Sequence, residues 1–158
     1  MKTGIKHRHS VIDSEYLVDG VRHRIGGPAL ITSFYNRGYL FRTTFEWFKN
    51  GARFREENKP TAIDLFFEDG KIMDVLRVWH LNGLHHRDGG PATLSNDGYQ
   101  VWYQYDKEHR EDGPAIIYPN GHKEYWLYGQ EYTQVKNDTQ WRIEVQRVKR
   151  KQKEDLQI

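Results

Sequence analysis

One pattern, written four times, limits what this chain can become. Gly83-Leu84-His85-His86-Arg87-Asp88-Gly89-Gly90-Pro91-Ala92 and Asp106-Lys107-Glu108-His109-Arg110-Glu111-Asp112-Gly113-Pro114-Ala115 share one template. An earlier copy runs Gly20-Val21-Arg22-His23-Arg24-Ile25-Gly26-Gly27-Pro28-Ala29, and a degraded one runs from Gly51 through Phe54-Arg55 to Lys59-Pro60 and Ala62. An aromatic residue stands four positions before each first turn residue: Tyr16, Trp47, Trp79 and Trp102, with Tyr125 opening a truncated fifth copy. A second glycine follows each proline, at Gly38, Gly70, Gly98 and Gly121. Units of this kind cannot bury an apolar face alone, so neighbouring copies must supply the core.

Within a copy, segments such as Tyr99-Gln100-Val101-Trp102-Tyr103-Gln104-Tyr105 alternate and are rich in aromatic and β-branched residues, which predicts strands. Asn50-Gly51, Asn82-Gly83, Asn120-Gly121, Asp69-Gly70 and Asp97-Gly98 predict two-residue hairpin turns. Pro28, Pro91 and Pro114 lack a ladder donor and interrupt the strand. Proline-to-glycine spacing is 10 residues in the first two copies (28 to 38, 60 to 70) and 7 in the last two (91 to 98, 114 to 121). The N-terminal half should therefore be the wider part of the sheet. Hydrophobic residues are only 37% of the 158, yet there are five Trp, ten Tyr and seven Phe. That argues against disorder, and for a thin sheet carrying large flat side chains.

The fold class expected is mainly β: an elongated antiparallel sheet of stacked hairpins with a C-terminal helix. The chain divides into a polar segment over 1–13, about four and a half repeats over 14–132, and a basic amphipathic helix within 133–158. The aromatic four before Asn-Gly, the second Asp/Asn-Gly and the His-Arg-x-Asp-Gly-Pro-Ala core resemble MORN repeats. More closely, they resemble the MORN-like variant of bacterial antitoxin-like, phage and giant-virus proteins. The resemblance implies a non-catalytic scaffold in the cytoplasm. By analogy with such members, the expected partner is a toxin or host-defence protein, with anti-CRISPR or related anti-defence activity.

Residues that look chemical are read first as architecture. His23, His86 and His109 recur at one repeat position, each followed by Arg. A catalytic site needs unlike groups converging once, so these histidines are expected to bond a neighbouring turn. Trp47, Trp79 and Trp102 are expected to form an aromatic ladder along one face, and Asp88 and Asp112 to cap turns. His85 and His86 are adjacent and should point to opposite faces of a strand. The pair His7 and His9 lacks further ligands for a metal. There is no cysteine, which removes disulfides, thiolate metal sites and cysteine nucleophiles. No catalytic residue, cofactor site or metal site is expected, and the chain is read as a non-enzyme. No apolar run approaches the length of a membrane helix, and no secretion signal follows Met1.

Two regions remain as contact surfaces. Tyr35, Phe41 and Phe48 need not all face inward, and exposed aromatics mark interaction sites. From Asp138, helix formers dominate, with Asp138 or Thr139 as cap, and Trp141, Val145 and Val148 fall on one face. That face should dock on the end of the sheet. Overall charge is only +2, but the helix carries basic residues, Arg147, Arg150 and Lys151 among them. They supply the competing reading, nucleic-acid or anionic-lipid binding through the tail.

Overall fold

The computed structural model describes residues 8–56 and 58–156. The chain begins in β1 (Arg8–Glu15), then turns through a short hairpin, β2 (Leu17–Val18) and β3 (Val21–Arg22). A long hairpin follows, β4 (Leu30–Asn36) and β5 (Tyr39–Glu46), then a short one, β6 (Phe48–Lys49) and β7 (Ala52–Arg53). The alternation continues with long β8 (Ala62–Glu68) and β9 (Lys71–Val78) and short β10 (His80–Leu81) and β11 (Leu84–His85). The next sheet arms are β12 (Thr93–Ser95) and β13 (Gln100–Val101), followed by the short hairpin β14 (Tyr103–Gln104) and β15 (Lys107–Glu108). The last copy has β16 (Ile116–Ile117), β17 (Lys123–Glu124), β18 (Trp126–Leu127) and β19 (Gln130–Glu131), and the chain ends in helix α1 (Asp138–Asp155).

Nine of these strands form one antiparallel sheet in the order β1-β4-β5-β8-β9-β12-β13-β16-β17. Pairing aligns one row across all nine: Glu15, Leu30, Glu46, Ala62, Val78, Thr93, Val101, Ile116 and Glu124. The arms in β4, β5, β8 and β9 are seven or eight residues long, against two or three in the last two copies. The wider N-terminal half follows the spacing of proline and glycine. β1 takes in residues 8–13 of the N-terminal polar segment, which form part of an edge strand of the sheet. His7 lies outside the described residues.

Each copy contributes a second hairpin that the sequence reading merged with the sheet. The chain leaves the sheet at the recurrent aromatic residue, which is latched at both its backbone groups. Trp79 donates its N–H to the Ala92 carbonyl (2.8 Å) and accepts from the His86 N–H (3.1 Å), and Trp102 does the same with Ala115 and His109. These bonds fold the short hairpin out of the sheet. Its turns are type I′, with both central residues in the left-handed region: Asn50 and Gly51, Asn82 and Gly83, and even Tyr105 and Asp106. Asp97-Gly98 and Asn120-Gly121 differ from expectation, since only the glycine has positive φ. There Gly98 bonds back to Ser95, whose own N–H reaches the Tyr99 carbonyl, giving a longer turn closed by a left-handed glycine.

The core is divided, as a thin sheet requires. Ala29, Leu30 and Phe48 form one buried cluster, and Tyr125, Leu127, Tyr132, Val135, Trp141 and Val145 form another. α1 supplies the last two and adds Val148 at its margin. Its cap is Asn137, one residue earlier than read from the sequence, whose Oδ1 accepts from the Gln140 N–H (3.0 Å). Trp141 donates its indole N–H to the Arg110 carbonyl (3.0 Å) and meets the rings of Tyr125 and Tyr132, each at 5.4 Å. The helix thus closes the C-terminal end of the repeat array. No helix among the described residues is long and apolar enough to cross a membrane.

Candidate interaction surface

The repeated His and Arg residues are held in contacts between and within copies. His23 places Nδ1 2.8 Å from the Asn50 side chain, in the turn of the following copy. His86 stacks on Tyr105 (4.3 Å, 28° between planes), and His109 lies against Tyr128 (4.2 Å) and accepts from its N–H. Each imidazole braces the first turn residue of the next short hairpin, by hydrogen bond where that residue is Asn and by ring contact where it is Tyr. His85 points the other way, to Asp106, whose carboxylate accepts from its N–H (2.6 Å) and lies 2.8 Å from Nδ1. These bonds hold the Asp106 carboxyl below its ordinary range. His80 sits beside His85 at 4.6 Å, and burial pulls its pKa down to about 4.

The arginines explain the aromatic register. Arg24 stacks on Tyr16 (3.8 Å), Arg55 on Trp47 (3.9 Å), Arg87 on Trp79 (3.8 Å) and Arg110 on Trp102 (4.0 Å). Each guanidinium also donates to the carbonyl of its copy's proline, Pro28, Pro60, Pro91 or Pro114, at 3.1–3.3 Å. A Cβ at Gly27 or Gly90 would come within 2.9 or 3.1 Å of that guanidinium, which is why glycine precedes Pro28 and Pro91. The expected ring-on-ring ladder is replaced by an arginine-on-ring stack inside each copy, worth about 0.5–2 kcal/mol per pair. Among the described residues, none of these four rings pairs with another. In the truncated copy no arginine follows, and Trp141 meets Tyr125 instead. The signal was present in the sequence: aromatic and arginine are always eight residues apart (16 and 24, 47 and 55, 79 and 87, 102 and 110). Asp112 accepts from Arg110 Nε (2.7 Å), and Asp88 lies 3.3 Å from His86 Nε2, so both carboxylates pair with side chains where turn capping was expected.

The surface these contacts leave open lies on the wide half of the sheet. Ile31, Phe45 and Ile63 align on one face, joined by Leu65 and Val75 in the next row. The opposite face carries Phe34, Phe66 and Leu76. All eight are half-buried, and among the described residues no helix covers either face. Toward the turns, Tyr39 is 79% exposed and Met73 62%. Tyr35 pairs with Leu40 and is half-buried. Phe41 occupies a β-bulge, which brings it beside Phe34 (ring centroids 6.4 Å apart). Phe48 does not belong to a contact surface: it is 7% exposed, packed with Ala29 and Leu30 and flanked by Arg22 and Arg53. Its burial follows from its place just after the Trp47 latch, where the chain turns inward.

On the helix, Arg147 pairs with Glu144 (2.6 Å) and Lys149 with Glu111 (2.5 Å), while Arg150 and Lys151 are exposed. Among the described residues, no group of three His, Asp or Glu side chains is placed to hold a metal ion. No family model matches the chain, and no curated protein or solved structure matches it.

Proposed function

We propose that this chain is a non-enzymatic protein-binding scaffold that acts by covering the surface of another protein. The observation that carries the reading is the wide half of the sheet, whose two faces present aliphatic and aromatic side chains under no helix. Apolar side chains grouped on a sheet face and left partly open to solvent are characteristic of interaction surfaces. The consumption of His23, His86, His109 and the four stacked arginines in bracing contacts supports a scaffold over a catalyst. The partner class, a toxin or host-defence protein blocked by steric occlusion, rests on the MORN-like character of the repeat core. It makes this an antitoxin-like or anti-defence inhibitor of phage or mobile-element type.

The test places a photo-crosslinking phenylalanine analogue at Tyr39, at Met73 and, as a control, at the outward helix position Gln146. Irradiation of cells carrying each variant should give one adduct of common mass from the two sheet positions, competed by unmodified chain. No adduct, or equal adducts from all three positions, would refute binding through the wide sheet.

A further inference from the structure

A cleft of about 220 Å³ opens between the first and second copies, lined by Arg24, Ile25, Trp47, Lys49, Phe54 and Arg55 among others. The corresponding place one copy later is filled by the chain itself. There the second-copy loop lays Asn58 over Trp79, and the Asn58 carbonyl accepts from Trp79 Nε1 (2.8 Å) while its Oδ1 accepts from Arg87 Nε (3.4 Å). The two places are equivalent by backbone bonding: Ala29 N–H donates to the Glu46 carbonyl as Thr61 N–H donates to the Val78 carbonyl, both at 2.8 Å. The first-copy loop is one residue shorter, four positions from Arg24 to Pro28 against five from Arg55 to Pro60, and it lacks a counterpart of Asn58. Trp47 Nε1 and Arg55 Nε consequently have no acceptor among the described residues. At the fourth copy the situation differs again, because Asp112 takes Arg110 Nε.

The open cleft also carries an excess of positive charge. Several cations elsewhere are paired: Arg22 with Glu15, Arg53 with Glu46, Arg110 with Asp112, Lys149 with Glu111. Arg24, Lys49 and Arg55 have no carboxylate partner among the described residues, and they face one acid on the lining, Glu56. Ile25, 83% exposed, and Phe54 give the rim an apolar edge.

We propose that this cleft anchors an aspartate residue of a partner protein, an inference that rests on the protein-binding reading above. Its main-chain carbonyl accepts from Trp47 Nε1 and its carboxylate from Arg55 Nε, reproducing the two bonds of Asn58. Aspartate has the shape of asparagine, and the unpaired cations select the charged form. A charge-assisted bond is about twice as strong as its neutral counterpart.

The test follows the five tryptophan indole N–H signals of the full chain by NMR, with the Trp47 signal identified by its loss in Trp47→Phe. The probes are Ac-Ala-Asp-Ala-NH2, Ac-Ala-Asn-Ala-NH2 and inorganic phosphate. A saturable shift of the Trp47 signal at millimolar aspartyl peptide is expected, with the asparaginyl peptide roughly fivefold weaker or more. Ile25→Glu, at an exposed rim position that does not threaten the fold, should abolish the shift. No saturable shift, equal binding of the two peptides, equal binding of phosphate, or an unchanged response in Ile25→Glu would each overturn the assignment. Adducts from Tyr39 and Met73 with an unresponsive Trp47 would mean that the scaffold reading holds and the cleft assignment fails. A responsive Trp47 without adducts would mean the reverse for the wide sheet.

Discussion

Replacing Trp141 by alanine tests whether the helix is a structural end-piece. The side chain is fully buried, touches Tyr125 and Tyr132 at ring distances of 5.4 Å, and gives its indole N–H to the Arg110 carbonyl at 3.0 Å. Truncating a buried Trp to Ala costs about 3–5 kcal/mol in lost transfer energy and cavity. The bereft Arg110 carbonyl adds about 1 kcal/mol. Trp141→Phe keeps a ring in place and loses the hydrogen bond and part of the volume, so its cost is about 1–2 kcal/mol. With a urea slope of about 2 kcal/mol per molar, the alanine midpoint should fall by about 2–3 M and the phenylalanine midpoint by about 0.5–1 M. Far-ultraviolet circular dichroism during urea titration reads both. An alanine midpoint within roughly 0.5 M of the parent, or a phenylalanine variant as weak as the alanine one, refutes the reasoning. The same contact bears on truncation experiments, since removing 141–158 takes Trp141 and Val145 out of the C-terminal core cluster and Val148 from its margin. Nucleic-acid or lipid binding by the tail is better tested by charge reversal at Arg150 and Lys151, which are exposed and whose substitution should change stability by less than about 0.5 kcal/mol.

Three further outcomes follow from the repeat contacts. Arg87→Met loses the stack on Trp79 and the bond to Pro91, at a cost of about 1–3 kcal/mol. Arg87→Lys should recover less than half of it, because an ammonium cannot lie flat on the ring; equal melting temperatures for Lys and Arg would sink the stacking account. The double variant His86→Ala, His109→Ala removes the braces on Tyr105 and Tyr128 and should lower stability by about 1–3 kcal/mol in thermal denaturation. A double variant as stable as the parent contradicts the bracing role. His80, depressed to about 4 chiefly by burial and then by His85 and Arg53, is neutral in the folded chain while the unfolded chain still takes up a proton below about 6.5. Its contribution is therefore complete above that pH and is lost as pH falls toward 4. The lowered carboxyls of Asp106, Asp112 and Glu144 add their own loss from the foot of that window downward. His109 is also depressed by burial, so the informative quantity is the difference between the parent and His80→Gln. The variant's melting temperature should decline less between pH 6.5 and 4; parallel curves would contradict the assignment.

Much of this architecture was legible before any coordinates. Repeat register, the wider first half, the positions of Gly51, Gly70 and Gly83 in left-handed turns, and the inward face of the helix all depend on neighbours within a few residues. Local periodicity and backbone sterics report such features directly. The spacing of eight between aromatic and arginine was visible too, but its meaning was not, since the stack exists only after the short hairpin folds away from the sheet.

Other features required the third dimension. Phe48 is inward because the chain bends at Trp47, and Phe41 lies beside Phe34 because a bulge shifts the pairing, neither of which follows from alternation along a strand. The cleft at Trp47 stays open because the first-copy loop has no counterpart of the extra residue in the second, measured against a ring that the sequence places 20 residues beyond Gly27. The amino-acid order by itself determined which units repeat and how long their arms are, because those depend on short-range propensity. Which side chains meet, and which donors are left without an acceptor, was decided by how one copy is laid against the next, since those contacts join residues far apart in the chain.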